Sequence, residues 1–137
     1  MKPTNHEYGF TLIELLIVIV VIGILAVISV SLYKSFILKS RRSDGINAIL
    51  TLQLAEERYR SNNAQYGSIA QIGGSSTSPQ GYYSLAISNV GASSYSITAS
   101  AQGNQANDSE GSTSCASLTL TVSNGTATQT PPACWPS

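Results

Sequence analysis

The sequence predicts an α+β chain, with one long N-terminal helix laid on an antiparallel sheet of about four strands. Three observations predict it. Leu15–Ile22 is an unbroken aliphatic run, and no charge follows until after Tyr33. The next stretch carries apolar residues at helical spacing. Beyond residue 80, apolar residues alternate with Ser and Thr, as in strands covered on one face.

The helix comes first. At 1.5 Å per residue, Leu15–Tyr33 reaches about 28 Å, close to the thickness of a bilayer core. β-branched residues are frequent there, but the run is too long for a buried strand. A cleaved secretory signal, with Ser29-Val30-Ser31 as its small-residue site, would need a shorter apolar core. A plain membrane anchor is the other bland reading. After Tyr33 the pattern turns amphipathic. Ala48, Leu52, Ala55 and Tyr59 form a stripe widened by Ile46, Ile49 and Leu50. Arg41, Arg42, Asp44, Glu56, Glu57, Arg58 and Arg60 are expected on the remaining surface. Gly45 weakens this helix without stopping it, and Asn62, Asn63 and Gly67 are expected to end it, giving about 50 helical residues, far above the globular mean.

The sheet follows a Gly/Ser/Thr loop at 73–79. Tyr83, Leu85 and Ile87 share one face of a first strand. Tyr95, Ile97, Ala99 and Ala101 mark a second, and Leu118, Leu120 and Val122 a third. Asn124-Gly125 is a two-residue hairpin signal leading to a fourth strand from Thr126. Gly103–Ser114 reads as a polar loop. The amphipathic helical half is the only cover available for the aliphatic face of such a sheet. The expected segments are 1–9 as a short polar leader, 10–33 as the apolar helix, 34–66 as its amphipathic continuation and 67–137 as a sheet head.

Composition narrows the function. Only 10% of the 137 residues are charged and the formal net charge is zero, so general electrostatic binding to nucleic acid is not expected. The cysteines, Cys115 and Cys134, have no histidine or second cysteine nearby to make a metal site. A disulfide closing the C-terminal segment is the favoured reading; it implies an oxidising compartment and roughly 3 kcal/mol of chain-entropy stabilisation. Two unpaired small hydrophobes in a core are the alternative. No catalytic constellation is visible, since after Arg60 the charged side chains are Asp108 and Glu110 and the single histidine is His6. Asp108 and Glu110 are too few for a confident calcium site and read as a solvated loop. No catalytic residue, metal or cofactor is expected.

One residue stands out in the apolar helix. Glu14 is a single acid at its start, where burial in hydrocarbon costs roughly 2.5–3.5 kcal/mol at mid-membrane and less near the interface. A carboxylate snorkelling to the headgroups is the bland account. The residues around it, Gly9-Phe10-Thr11-Leu12-Ile13-Glu14-Leu15, resemble the N-terminus of type IV pilins. The resemblance implies cleavage by prepilin peptidase after Gly9, N-methylation of Phe10 and a mature chain beginning there. It also implies that Glu14 directs subunit assembly by neutralising the Phe10 amine of a neighbour. The pattern departs from the usual one at Tyr8, where a basic residue commonly precedes the glycine, and at Ser31, where many pilins have proline. Further along, Tyr82-Tyr83-Ser84-Leu85, Ser94–Ala99, Cys115–Leu120 and Cys134-Trp135 resemble the PilE-type minor pilins, which implies a pilin fold whose C-terminal loop is tied by Cys115–Cys134.

The implied partners are other pilin subunits, prepilin peptidase, the pilus assembly machinery and, before assembly, the inner membrane. The head is then extracytoplasmic and the final location an extracellular pilus. Charge placement opposes this orientation: Lys34, Lys39, Arg41 and Arg42 follow the span, while Lys2 alone precedes it. The cysteine pair and the Ser/Thr-rich head favour the outside. A type II secretion pseudopilin and a DNA-receptor pilin of a competence system are the alternatives. DNA is not expected as a partner, because residues 61–137 contain no Lys or Arg. Asn107-Asp108-Ser109 and Asn124-Gly125-Thr126 match a glycosylation pattern that turn chemistry explains equally well.

Overall fold

The computed structural model describes residues 9–136, without the side chains of Ser31 and Leu32. Residues 1–8 of the expected leader, with Lys2, His6 and Tyr8, therefore lie outside the described residues. The chain divides into two compact units, residues 1–34 and 35–137.

Helix α1 spans Leu12–Arg60. In the first unit its large apolar side chains are all exposed among the described residues, Leu12 at 83% and Val27 at 73%. This stretch is apolar all round and has length and composition enough to cross a membrane.

The second unit is built on α1 from Ser35 onward and on a four-stranded antiparallel meander. Its strands β1 (Tyr83–Ser88), β2 (Ser94–Ala101), β5 (Ser117–Ser123) and β6 (Thr126–Thr130) lie in that order, with a separate two-residue hairpin of β3 (Ser109–Glu110) and β4 (Thr113–Ser114). The expected four strands are all present. Register pairs Leu85 with Ala99, and Tyr95, Ile97 and Ala99 with Val122, Leu120 and Leu118. These residues form one buried face, closed by Ala48, Ile49 and Leu52 of α1 together with Tyr66, Tyr83 and Trp135. On the other face Ser96 and Thr98 hydrogen-bond across to Thr121 and Thr119. Asn124 and Gly125 both adopt positive φ, 49° and 79°, the mirror-image turn that matches strand twist.

Four expectations need correction. The helix stops at Arg60, short of 66, because Asn62 and Asn63 donate their side-chain amides back to the Arg58 and Tyr59 carbonyls. Arg42, Asp44 and Glu56, expected on the surface, are buried, while Leu50, expected in the apolar stripe, is exposed. Gly45 earns its place through packing, since a Cβ there would meet the Tyr83 ring at 2.9 Å. The polar loop at 103–114 is an ordered segment, with a 3₁₀ turn at Gly103–Asn107 and the β3–β4 hairpin. From it Gln105 reaches under the sheet and donates to the Leu38 carbonyl and the Tyr83 hydroxyl.

Candidate functional site

The first candidate site is the start of α1. Gly9 and Phe10 precede the helix in an irregular, exposed stretch, and Phe10 is 87% exposed. Thr11 caps the helix: its hydroxyl accepts the Glu14 N–H at 3.3 Å and its carbonyl accepts the Leu15 N–H. Thr11-Leu12-Ile13-Glu14 thus has the spacing of a capping box, with the acid in the first turn, where the positive end of the helix dipole favours it. A local reason for Glu14 at this position was legible in the sequence and easily missed beside the apolar run.

The second candidate site is in the head, where the structure brings together groups far apart in sequence. Arg42 grips Asp108 with two parallel bonds, Nε to Oδ2 at 2.6 Å and Nη2 to Oδ1 at 2.9 Å. Its third nitrogen reaches Glu110 at 3.1 Å, which also pairs with Lys39 at 2.9 Å. The Asp108 side chain is 1% exposed, so both its oxygens are committed to Arg42 in a dry setting. The two cations hold the Glu110 carboxyl below the ordinary carboxylate range. These acids are therefore a clasp between helix and loop, not the solvated pair that the sequence suggested.

Beside the clasp, Cys115 and Cys134 form a disulfide with Cα atoms 5.6 Å apart, both buried. Trp135 packs next to it and donates its indole N–H to the Thr130 carbonyl.

At the far end of the helix, Glu56 is fully buried. One of its oxygens accepts the Gly67 N–H at 2.8 Å and the other has no partner. Burial pushes this carboxyl up, and the neighbouring Glu57 charge adds to the effect. Glu57 in turn accepts the hydroxyls of Tyr66 and Tyr95, whose rings lie 4.4 Å apart. Both phenols are raised, chiefly by burial. The arrangement fixes the turn after α1 onto β2. It offers no nucleophile and no acid–base pair facing a cleft.

Comparison with known proteins bears on both units. The family described as "Type IV minor pilin ComP, DNA uptake sequence receptor" matches residues 31–119, and the prokaryotic N-terminal methylation motif matches residues 4–30. The chain belongs to the type IV pilin family. This pilin is 36% identical over 69 residues to the type IV major pilin protein PilA of Myxococcus xanthus, covering 50% of this chain and 30% of that protein. It is 33% identical over 66 residues to the type II secretion system core protein G of Escherichia coli, covering 48% of this chain and 46% of the relative. It is 40% identical over 52 residues to the type IV major fimbrial protein FimA of Dichelobacter nodosus, covering 36% and 32%. In each case the match spans less than half of the relative. Family membership makes this pilin a structural subunit rather than an enzyme, and its apolar helix fits a membrane-anchored protein that later joins an extracellular pilus.

Proposed function

We propose that this pilin is a PilE-like minor subunit of a type IV pilus. It enters the inner membrane as a precursor with its head outside. Prepilin peptidase removes residues 1–9, Phe10 is N-methylated, and the assembly machinery packs the helix among those of other subunits. The observation that supports this best is the start of α1, where an exposed Gly9-Phe10 junction leads into a capped helix whose one early acid is Glu14. In an apolar filament interior, the new amine on Phe10 and a neighbour's Glu14 carboxylate are each costly alone. Pairing offsets both costs, so the pair specifies register between subunits.

Mass spectrometry of sheared surface filaments tests the reading. The expected mass corresponds to a chain starting at Phe10 with one added methyl group and an oxidised Cys115–Cys134 pair. A filament-free cell surface, or an intact Met1 start in the cell, overturns it. An alkaline phosphatase fusion to Ser137 should be active; an inactive fusion places the head in the cytoplasm and sinks the assignment.

A DNA-receptor role is the second reading, prompted by the family description. It needs free cations, and this head offers few. Arg42 is committed to its acids, Arg41 lies 4.6 Å over the Tyr82 ring, and Arg60 donates to the Ala92 and Asn63 carbonyls. Residues 61–137 contribute none. The full-length protein in detergent should bind duplex DNA more weakly than about 1 μM at physiological salt. Tighter binding would move the chain into the receptor class. A type II secretion pseudopilin is the remaining alternative, and it predicts no subunit in sheared surface pili.

A further inference from the structure

The two edges of the main sheet are treated differently. The outer edge of β1 is covered by residues 76–78: the Leu85 N–H donates to the Ser76 carbonyl, the Ser78 N–H to the Tyr83 carbonyl, and the Tyr83 N–H to the Ser78 hydroxyl. The outer edge of β6 has no such cover among the described residues. All five of its residues, Thr126-Ala127-Thr128-Gln129-Thr130, are exposed, and none is charged or proline. Edge strands left open are normally blunted by lysine, proline or a bulge.

Which groups face outward follows from the ladder. The Asn124 N–H donates to Ser93 on the β2 side, so alternation aims the amides of Ser123, Thr121 and Thr119 at β6. Their register partners Thr126, Thr128 and Thr130 therefore point their backbone groups back at β5. Ala127 and Gln129 are left with N–H and C=O directed away from the sheet, and among the described residues no hydrogen bond reaches either residue's backbone outside the β5–β6 ladder.

We propose that this edge is an interaction surface whose occupant is β6 of a second copy, paired antiparallel about a two-fold axis through Thr128. The pairing is self-complementary. With Thr128 opposite Thr128 of the other copy, Ala127 of each copy faces Gln129 of the other, and every outward group on both strands finds a partner. Thr126 then meets Thr130 on the outer face, and no like charges are opposed. Neutrality favours a second copy over a charged foreign segment, which would find no counter-charge on this strand. A two-fold contact is closed, so it cannot repeat along one polar filament; it joins free subunits or subunits of adjacent filaments. One strand pair is too small for a stable dimer, so the contact is transient between single subunits and strengthens when many heads are arrayed. The inference does not depend on which secretion or pilus machine the subunit serves.

The geometry supplies its own test. Thr128 pairs with its symmetry mate at a position without ladder hydrogen bonds, where Cα atoms approach about 4.5 Å, within disulfide range. Full-length Thr128→Cys protein in detergent should therefore oxidise to a covalent dimer at least tenfold faster than Ser88→Cys, an exposed position on the covered edge strand β1. Adding Gln129→Pro should return the rate to that of Ser88→Cys, because it removes an outward N–H from each copy and leaves the β5 ladder intact. Ala127→Pro should do the same. The melting temperature and the Cys115–Cys134 bond of each variant report whether the head is still folded. Equal rates at 128 and 88, or a rate at 128 that survives both prolines in a folded head, overturn the proposal.

Discussion

The two halves of α1 are one continuous run of backbone with opposite sources of order. In residues 12–30 the large side chains are aliphatic and exposed, and none of them is buried among the described residues; that half needs lipid or other helices as its partner. In residues 35–60 the helix carries most of the chain's charge, and three of its charged side chains are buried with partners drawn from the sheet end of the sequence. The contrast teaches that one helix can be specified twice, by solvent along one stretch and by internal contacts along the next. Substitutions in the two halves should therefore report to different assays.

The largest expected effect on the head is at Arg42. Arg42→Ala leaves Asp108 charged, buried and unpaired, and should destabilise the head by about 3–5 kcal/mol, read as a lowered melting temperature of the full chain in detergent. A loss below about 1 kcal/mol would mean that the clasp is wetter than its geometry indicates. Next is the disulfide. Cys115→Ala with Cys134→Ala should cost roughly 3 kcal/mol in the same melt while the β1–β2 pairing persists.

Glu56 gives a smaller effect of opposite sign. Its carboxyl is raised in the folded state, so the fold holds that proton more tightly than the unfolded chain does. The cost of burying the charge is absent at acidic pH and appears as pH rises through the raised value. Glu56→Gln should thus stabilise the head by about 1 kcal/mol at neutral pH, with the gain vanishing toward pH 4. A gain independent of pH would point to packing instead. The smallest effect on the head belongs to the apolar half. Val21→Ala should shift the head's melting by less than about 0.5 kcal/mol, yet lower filament yield, because Val21 is exposed and lies in the first unit, outside the core of the head. A large shift in the melt would break the division between the halves.

Much of this protein could be read directly from its residues. The length of the apolar run, the period-two alternation in the first three main strands and the Asn124-Gly125 turn that leads to the fourth are local signals, and local signals survive into structure because backbone geometry enforces them. Helix ends were legible in part, since Asn62 and Asn63 were expected to stop α1 and the segment bound at 66 was too late. Asn62 and Asn63 compete for the last carbonyls and stop α1 at Arg60, before Gly67 is reached. The candidate site at Gly9, Phe10 and Glu14 was visible as a motif, and Thr11 as its cap lay in plain view three residues before the acid.

Periodicity and composition determined that there is a long helix, a half-covered sheet and a cysteine pair at one end, because each depends on residues close in sequence. Only the tertiary structure decided that Arg42 closes on Asp108 across 66 positions, that Glu56 is buried with one oxygen unpartnered, and that β6 rather than β1 is the open edge. A charged residue reads as surface by default, since burial is costly. Whether a partner arrives to offset that cost is a property of the folded chain, and no window of sequence contains it.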